Sequence, residues 1–235
     1  MPSGNQRNER CEDVMDKQIT LYVVRHGQTY FNIYNKLQGW SNSPLTDAGI
    51  ADAKAAGERL QDVPFAAAYC SDTTRAQQTA ETILAANHSQ PAAKLTSAPY
   101  FREEFYGYYE GTDMAQAWYV AGAPHGVSSF KAIEEKYSIG KAKDFLKEAD
   151  PFRQAENNEE YWARVDQAFD MIRDNPNLKD GDKVLMISHG NTLLSLMERY
   201  GQGKYDLSVR PANGSLTKLL LTPDDIQVLS YNQKD

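Results

Sequence analysis

Short apolar segments that alternate with helix-like segments limit most strongly how this chain can fold. Residues 19–24, 65–70 and 183–188 are mostly apolar runs of the kind that form buried strands. Residues 46–60 carry Thr and Asp at their start and apolar residues at helical spacing. This alternation predicts an α/β fold with a mainly parallel sheet, because consecutive parallel strands need a crossover between them.

Other segments fit the same plan. A second helix is predicted over residues 73–86, where Ser71 and Asp72 can cap the first turn. The chain also predicts a helix at residues 191–200 and short strands at residues 95–98, 215–221 and 226–231.

A long segment in the second half of the chain is mostly helical but contains several glycine and proline breakers, residues 113–174. It is too long for an ordinary connection between two elements. We therefore expect a mostly helical cap insertion over the ligand site, at about residues 112–160. The total length of 235 residues fits one domain, residues 18–235, preceded by a polar N-terminal tail, residues 1–17.

Charge and polarity narrow the range of partners. The net charge of −7 argues against nucleic acid or an anionic membrane as the main partner. The polar tail contains no apolar run long enough for a signal peptide, and no later segment is long enough to cross a membrane. These features predict a cytoplasmic protein, and we expect a monomer or a homodimer.

Cysteine and histidine usage bears on the kind of site. Two cysteines make a disulfide framework improbable, and Cys70, at the end of an apolar run, is interpreted as a buried core thiol. The chain has four histidines, none of which forms a close metal-binding pair with another. We therefore expect neither a metal ion nor a cofactor.

Cationic and titratable side chains follow three of the predicted strands. Arg25 and His26 end the first strand, Arg75 lies in the first turn after the second, and His189 follows residues 183–188. Ligands of open α/β sheets bind outside the carboxyl ends of the strands, where helix N-termini also favour anions. Because arginine offers paired donors to phosphate oxygens, this arrangement predicts a phosphate site.

The same residues suggest a reaction. A neutral imidazole can attack phosphorus while guanidinium groups neutralise the phosphate oxygens. The leaving oxygen then needs a proton from a carboxyl group, for which Glu103 and Glu104 are both candidates. They lie in an aromatic-rich loop, residues 101–107, and a glutamic acid enclosed by such rings would have a raised pKa.

A series of motifs in this chain resembles the histidine phosphatase superfamily, which includes cofactor-dependent phosphoglycerate mutases. Residues 25–32 resemble the signature R-H-G-x-[ST]-x-x-N, and residues 71–79 resemble S-x-x-x-R-x-x-x-T. The likeness continues at residues 39–49, 102–111 and 188–190 and spans about residues 21–221, nearly the whole chain.

The resemblance implies a three-layer α/β/α sandwich, a metal-independent site and a phosphorylated nucleophile at His26. It also selects Glu103 over Glu104 as the general acid and base, four residues before Gly107. The residues that it implies for binding the transferred phosphoryl group and the substrate are Arg25, Asn32, Gly39, Arg75, Glu103, His189 and Gly190.

Three departures from the family pattern bear on the activity. Asn42 stands where the family often has Asp, and Leu194 where many members have Arg. Residues 104–106 are Glu-Phe-Tyr where mutases usually have Arg-His-Tyr. Arg102 is the only lysine or arginine among residues 100–126, which are rich in aromatic residues.

The changes at Leu194 and at residues 104–106, together with the single cation among residues 100–126, favour a phosphomonoesterase that hydrolyses small phosphorylated metabolites. Asn42 is expected to affect loop packing more than chemistry. The alternative is a cofactor-dependent phosphoglycerate mutase. A non-catalytic phospholigand-binding protein is the least favoured hypothesis, because His26, Glu103, Arg75 and His189 are all present.

Overall fold

Six strands form one mixed sheet in a computed structural model that describes residues 17–234. All but the last residue of the predicted polar tail, 1–17, lies outside the described residues. The strands are β1 (Ile19–Arg25), β2 (Phe65–Cys70), β3 (Leu95–Ser97), β4 (Lys183–Ser188), β5 (Leu216–Leu221) and β6 (Ile226–Gln233). Their order in the sheet is β3-β2-β4-β1-β5-β6.

The first four strands run parallel to one another, and β5 and β6 complete the sheet in antiparallel pairs. Strands β1 and β4 lie side by side and are almost wholly buried, as expected of central parallel strands that are covered on both faces. Their register pairs Arg25 with Ser188, so the residues that follow the two strands begin at the same edge.

The helices are α1 (Tyr30–Ile33), α2 (Asp47–Leu60), α3 (Thr74–Ala86), α4 (Met114–Gly122), α5 (Phe130–Lys136), α6 (Ile139–Ala149), α7 (Asn158–Arg173) and α8 (Gly190–Tyr200). Helices α2 and α3 pack on one face of the sheet, and α7 and α8 pack on the other. This arrangement confirms the predicted α/β/α sandwich, in which the apolar face of each helix is buried against the sheet.

A third hydrophobic cluster lies apart from the two faces of the sheet. Helices α4, α5 and α6 supply most of it, and Leu37, Tyr106 and Tyr109 from the site loops complete it. We propose that these helices form the cap that the sequence led us to expect, because their cluster includes side chains from the loops around the site. Helix α7 packs against the sheet instead.

One buried polar connection joins helix α6 to the body of the protein. Lys143 is fully buried, and its Nζ donates to Ser195 Oγ of α8 at 2.8 Å. Glu104 is also fully buried and accepts from Asn191 Nδ2 at 2.9 Å. Burial raises the pKa of Glu104 to about 8 and lowers that of Lys143, while the charge of each opposes the shift of the other. Each group therefore depends on the other for its stability in the interior.

Replacement of Lys143 by Met should destabilise the protein by about 1–3 kcal/mol, because Ser195 Oγ loses its buried hydrogen-bond donor and Glu104 loses the positive charge that opposes the rise of its pKa. Urea unfolding followed by circular dichroism would measure the loss. The double variant Lys143→Met/Glu104→Gln should recover part of it, since neither charge then remains. An unchanged unfolding midpoint for Lys143→Met would show that the two groups do not support each other.

Candidate active site

His26 lies directly after β1 and is only 3% exposed. Its Nδ1 is 2.8 Å from the carbonyl oxygen of Gly27. Because a carbonyl oxygen can only accept, Nδ1 carries the hydrogen and Nε2 carries the lone pair. The backbone is held by hydrogen bonds from His26 N to Ser188 O (3.0 Å) and from Asn213 Nδ2 to His26 O (2.9 Å). The ring is therefore fixed in the tautomer that leaves Nε2 free for attack.

His189 follows β4 and precedes α8, and its ring centroid lies 5.2 Å from that of His26. Its Nδ1 lies 3.2 Å from Arg75 Nη2, which can only donate, so Nδ1 accepts. Nε2 then carries the hydrogen and donates to Ser71 Oγ at 3.0 Å. Ser71 was expected to cap α3, and this was wrong. Its hydroxyl contacts His189 and Thr73 Oγ1, and the start of α3 has no side-chain cap.

Both imidazoles are neutral near pH 7. Burial lowers the pKa of His26 well below 6.5, and the charges of Arg75 and Arg25 lower it further. Burial and Arg75 have the same effect on His189. Protonation of either ring would add positive charge to a site that already holds two buried guanidinium groups. His26 can thus act as a nucleophile and His189 as a hydrogen-bonding group, because both rings are neutral at this pH.

Two arginines lie beside the imidazoles with donors that are not used. Arg75 is fully buried and donates to the carbonyl oxygens of Ser41 (3.0 Å) and Gly39 (2.7 Å). Arg25 donates to Pro211 O. In both residues Nε is buried and has no hydrogen-bond partner within residues 17–234. Burial lowers the pKa of each guanidinium to about 10, so both remain charged at neutral pH. Such donors suit a phosphate group.

Glu110 organises the loop that holds Arg75. Its carboxylate accepts from the backbone N–H groups of Gly39 (3.2 Å), Trp40 (2.8 Å) and Ser41 (3.1 Å). This fixes the direction of the carbonyl groups that Arg75 contacts. Gly39 has no room for a side chain, because a Cβ there would lie 2.0 Å from the carbonyl oxygen of Glu104.

Glu103 reaches the same site from the other side of this loop. Its Oε1 accepts from Thr192 Oγ1 (2.8 Å) and Glu104 N (3.1 Å), and its Oε2 accepts from Asn191 N (2.7 Å). The carboxylate thus caps the N-terminal turn of α8, and its immediate partners are hydrogen-bond donors instead of the expected aromatic rings. Its negative charge acts on both Arg25 and Arg75. Burial raises the pKa of the neighbouring Glu104, whose side chain accepts from Asn191 Nδ2.

Asn32 and Gly190 complete the residues predicted for the site. Asn32 Oδ1 accepts from Thr29 N (3.0 Å) and lies 3.4 Å from Asn213 Nδ2, which also holds the backbone of His26. Gly190 begins α8, where a Cβ would lie 3.3 Å from the Arg25 guanidinium. Asn32 is thus linked to the backbone of His26 through Asn213, and Gly190 packs close to Arg25.

The sequence analysis did not assign several residues that shape this site. Ser71 and Thr192 fix His189 and Glu103, and Asn213 holds the backbone of His26. Asn213 lies in the polar loop between α8 and β5, as does Arg210, whose charge acts on Arg25. No periodicity or spacing in that loop points to the site. The contribution of this loop is visible only in the structure, where the loop returns to the end of β1.

Metal-binding clusters and membrane-spanning helices are both absent from residues 17–234. No three His, Cys, Asp or Glu side chains in this range are grouped so that they could hold a metal ion. No helix there combines the length and apolar character needed to cross a membrane.

Comparison with known proteins gives consistent matches. A sequence model of the histidine phosphatase superfamily (branch 1) matches residues 21–234. The 2,3-bisphosphoglycerate-dependent phosphoglycerate mutase 2 of Gloeobacter violaceus is 32% identical over 177 residues, covering 75% of this chain and 73% of that protein. The fructose-2,6-bisphosphatase TIGAR B of Danio rerio is 41% identical over 94 residues, only 40% of this chain and 37% of that protein.

A solved structure agrees over a larger part of the chain. The crystal structure of phosphoglycerate mutase from Bacillus anthracis str. Sterne matches with a TM-score of 0.85 and 32% sequence identity. The match covers 94% of this chain and 96% of that chain. It supports the α/β fold described above over nearly the whole chain.

The two buried imidazoles should make stability fall as the pH decreases below 6.5. The unfolded chain then binds protons on both histidines, whereas the folded protein, with depressed pKa values, does not. Each histidine should remove about 1.4 kcal/mol of unfolding free energy per pH unit once its unfolded form is protonated. Urea unfolding at a series of pH values from 7 to 5 would measure this slope.

A variant comparison isolates the effect from other titrating groups. His189→Gln should reduce the slope by about 1.4 kcal/mol per pH unit at the acid end, because one depressed pKa is gone. His88→Gln, at an exposed histidine, is the matched control. Parallel curves for the wild type and His189→Gln would contradict the assignment of His189 as a buried neutral group.

Proposed function

The chain belongs to the histidine phosphatase superfamily, and we propose that it transfers phosphoryl groups from phosphate esters through a phosphohistidine at His26. One observation carries this proposal. The free Nε2 of a neutral, buried imidazole lies among two guanidinium groups whose Nε donors have no acceptor within the described chain. A phosphate dianion supplies both the electrophile for the imidazole and the acceptors for the guanidinium groups.

The first half of the proposed reaction forms the phosphoryl-enzyme. Nε2 of His26 attacks phosphorus, so that a P–N bond forms as the P–O bond of the ester breaks. Glu103, which takes up a proton from solvent when the ester binds, gives that proton to the leaving oxygen, which departs as an alcohol. Arg25 and Arg75 neutralise the charge that the phosphoryl oxygens carry in the transition state, and the N-terminus of α8 adds to their effect.

The second half returns the phosphoryl group to an oxygen. The Glu103 carboxylate takes a proton from the acceptor, whose oxygen attacks phosphorus while the P–N bond breaks. The acceptor determines the activity. If the acceptor is a hydroxyl group at another position of the substrate, the enzyme is a mutase, and if it is water, the enzyme is a phosphatase. These four side chains serve both outcomes equally.

The comparisons favour a mutase over the phosphatase that the sequence analysis placed first. The match to the Gloeobacter violaceus protein covers three quarters of this chain, and that relative is named as a 2,3-bisphosphoglycerate-dependent phosphoglycerate mutase. The Bacillus anthracis structure, with equal sequence identity, is also named as a phosphoglycerate mutase. We therefore propose phosphoglycerate mutase activity as the first candidate.

A separate observation supports hydrolysis as the second candidate. The Arg102 guanidinium is bound to both carboxylate oxygens of Asp72 at 2.5 Å and lies 4.6 Å from the ring centroid of Trp40. It is therefore already paired and has less capacity to hold a second anion. Leu194, which stands where many relatives have Arg, is fully buried. Neither position supplies a free cation for a bisphosphate intermediate.

One preparation should separate the two candidates. The wild type should convert 3-phosphoglycerate to 2-phosphoglycerate faster than it releases phosphate, and the conversion should depend on added 2,3-bisphosphoglycerate. Rapid phosphate release from monoesters without that primer would favour the second candidate. His26→Ala should lose both activities by at least about 1,000-fold, because no other nucleophile replaces the imidazole. Persistent turnover in this variant would refute the phosphohistidine route.

Glu103→Gln should slow transfer from alkyl phosphates by roughly 100- to 10,000-fold, because their leaving oxygen needs a proton. The loss should be much smaller for p-nitrophenyl phosphate, whose leaving group is stable as an anion. Initial rates on both esters would measure the difference. Glu104→Gln is the matched control, and a larger selective effect in that variant would assign the acid to Glu104 instead.

A further inference from the structure

A cavity of about 290 Å³ lies between the proposed cap helices and the loop that leads to β5. The side chains that bear on the argument are Asn35, Phe130, Lys131, Glu134, Ser208 and Arg210. The backbone beside the cavity contacts the proposed phosphate site, because Pro211, which follows Arg210, accepts a hydrogen bond from Arg25. Asn213, two residues further, holds the carbonyl group of His26.

Arg210 is the least satisfied cation in the wall of this cavity. Its side chain is half-buried and its Cζ lies 5.4 Å from the ring centroid of Phe130. It makes no hydrogen bond or ion pair with any other residue of the described range 17–234. Lys131, in contrast, has a carboxylate partner in Glu135 at 3.6 Å. The donors of Arg210 are thus available to a ligand.

The charge of Arg210 is felt at the proposed phosphate site. Its positive charge acts on the buried Arg25 guanidinium and lowers the pKa of that group, after the larger effect of burial. Two like charges in a poorly solvated site repel each other, and a negative group close to both relieves that repulsion. Arg25 is already assigned to the transferred phosphoryl group. Arg210 therefore lies where a second negative group of the same substrate can reach it.

The other polar groups of the wall fit the remainder of such a substrate. Asn35 can exchange hydrogen bonds with hydroxyl groups, and Ser208 Oγ, which donates to Asp206 Oδ1 at 2.7 Å, can accept one. The Glu134 carboxyl also lines the cavity, and burial together with the charge of Asp206 raises its pKa. A carboxyl group there would repel a second anion placed next to it, so the anion is expected at Arg210 and the hydroxyl groups toward Glu134.

We propose that this cavity holds the part of the substrate that does not react, and that Arg210 binds a second anionic group, a carboxylate or a second phosphate, of a phosphate ester. The inference rests on the proposed function, because it takes Arg25 and His26 as the site of the transferred phosphoryl group. It names the substrate class as esters with two separated anionic groups. Arginine suits either anion, since its planar donors match two oxygens at once.

The test uses competition against p-nitrophenyl phosphate, so that it does not depend on which ester is turned over. Two matched pairs differ in the second anion: 3-phosphoglycerate with glycerol 3-phosphate, and fructose 1,6-bisphosphate with fructose 6-phosphate. In at least one pair, the wild type should bind the doubly anionic member roughly 10- to 100-fold more tightly. Arg210→Met should remove that ratio, and Arg210→Lys should restore part of it.

Each ratio is measured within one preparation, so a loss of active protein cancels. Equal inhibition by both members of both pairs in the wild type would overturn the proposal, as would a ratio that Arg210→Met leaves unchanged. A tighter-binding doubly anionic member in the phosphoglycerate pair would identify the second anion as a carboxylate, and in the fructose pair as a phosphate. Failure of the proposed function is seen separately, as hydrolysis of p-nitrophenyl phosphate that survives His26→Ala.

Discussion

The burial of two guanidinium groups at one edge of the sheet is the constraint on which the rest of this structure depends. Arg25 and Arg75 are both charged and nearly inaccessible to water, and the charge of Arg25 acts on Arg75. An isolated buried charge is strongly unfavourable, so the surrounding chain must supply acceptors and negative charge. Loop carbonyl groups and Glu103 do so, and the two imidazoles contribute by remaining neutral. The chemistry of His26 therefore follows from the charges around it.

The need to fix those acceptors explains features that have no direct part in chemistry. A carbonyl group stabilises a buried guanidinium only if its direction is held, and Glu110 holds three successive N–H groups of the loop that faces Arg75. The close approach of this loop to Glu104 leaves space only for glycine at position 39. Glu104 of the same loop and Lys143 of helix α6 both bond to helix α8, through Asn191 and Ser195. The phosphate site and the proposed cap are thus mechanically connected.

Sequence reasoning was most successful where a residue's role follows from its place in a regular element. The apolar runs predicted the bounds of β2 and β4, and the strand ends predicted that the cationic and imidazole side chains would lie together, because parallel strands all end at one edge. It was weaker where a side chain has a choice of partners. Ser71 could cap α3 or bond to His189, and only the tertiary arrangement selects the second. Arg210 and Asn213 reach the site through an irregular loop whose path no local pattern specifies.

For the same reason, the acceptor of the phosphoryl group is harder to infer from the sequence than phosphoryl transfer itself. The residues proposed to hold the phosphoryl group lie at strand ends and helix starts, whereas the groups expected to decide between water and a second hydroxyl lie on loops and on the proposed cap. The argument for hydrolysis relied on the scarcity of cations among residues 100–126, and Arg102 is indeed paired with Asp72. That argument did not consider the loop before β5, which brings Arg210 to the Arg25 side of the site. In the proposed arrangement a second anion is bound from a different direction, so the absence of the usual arginines does not by itself exclude a mutase.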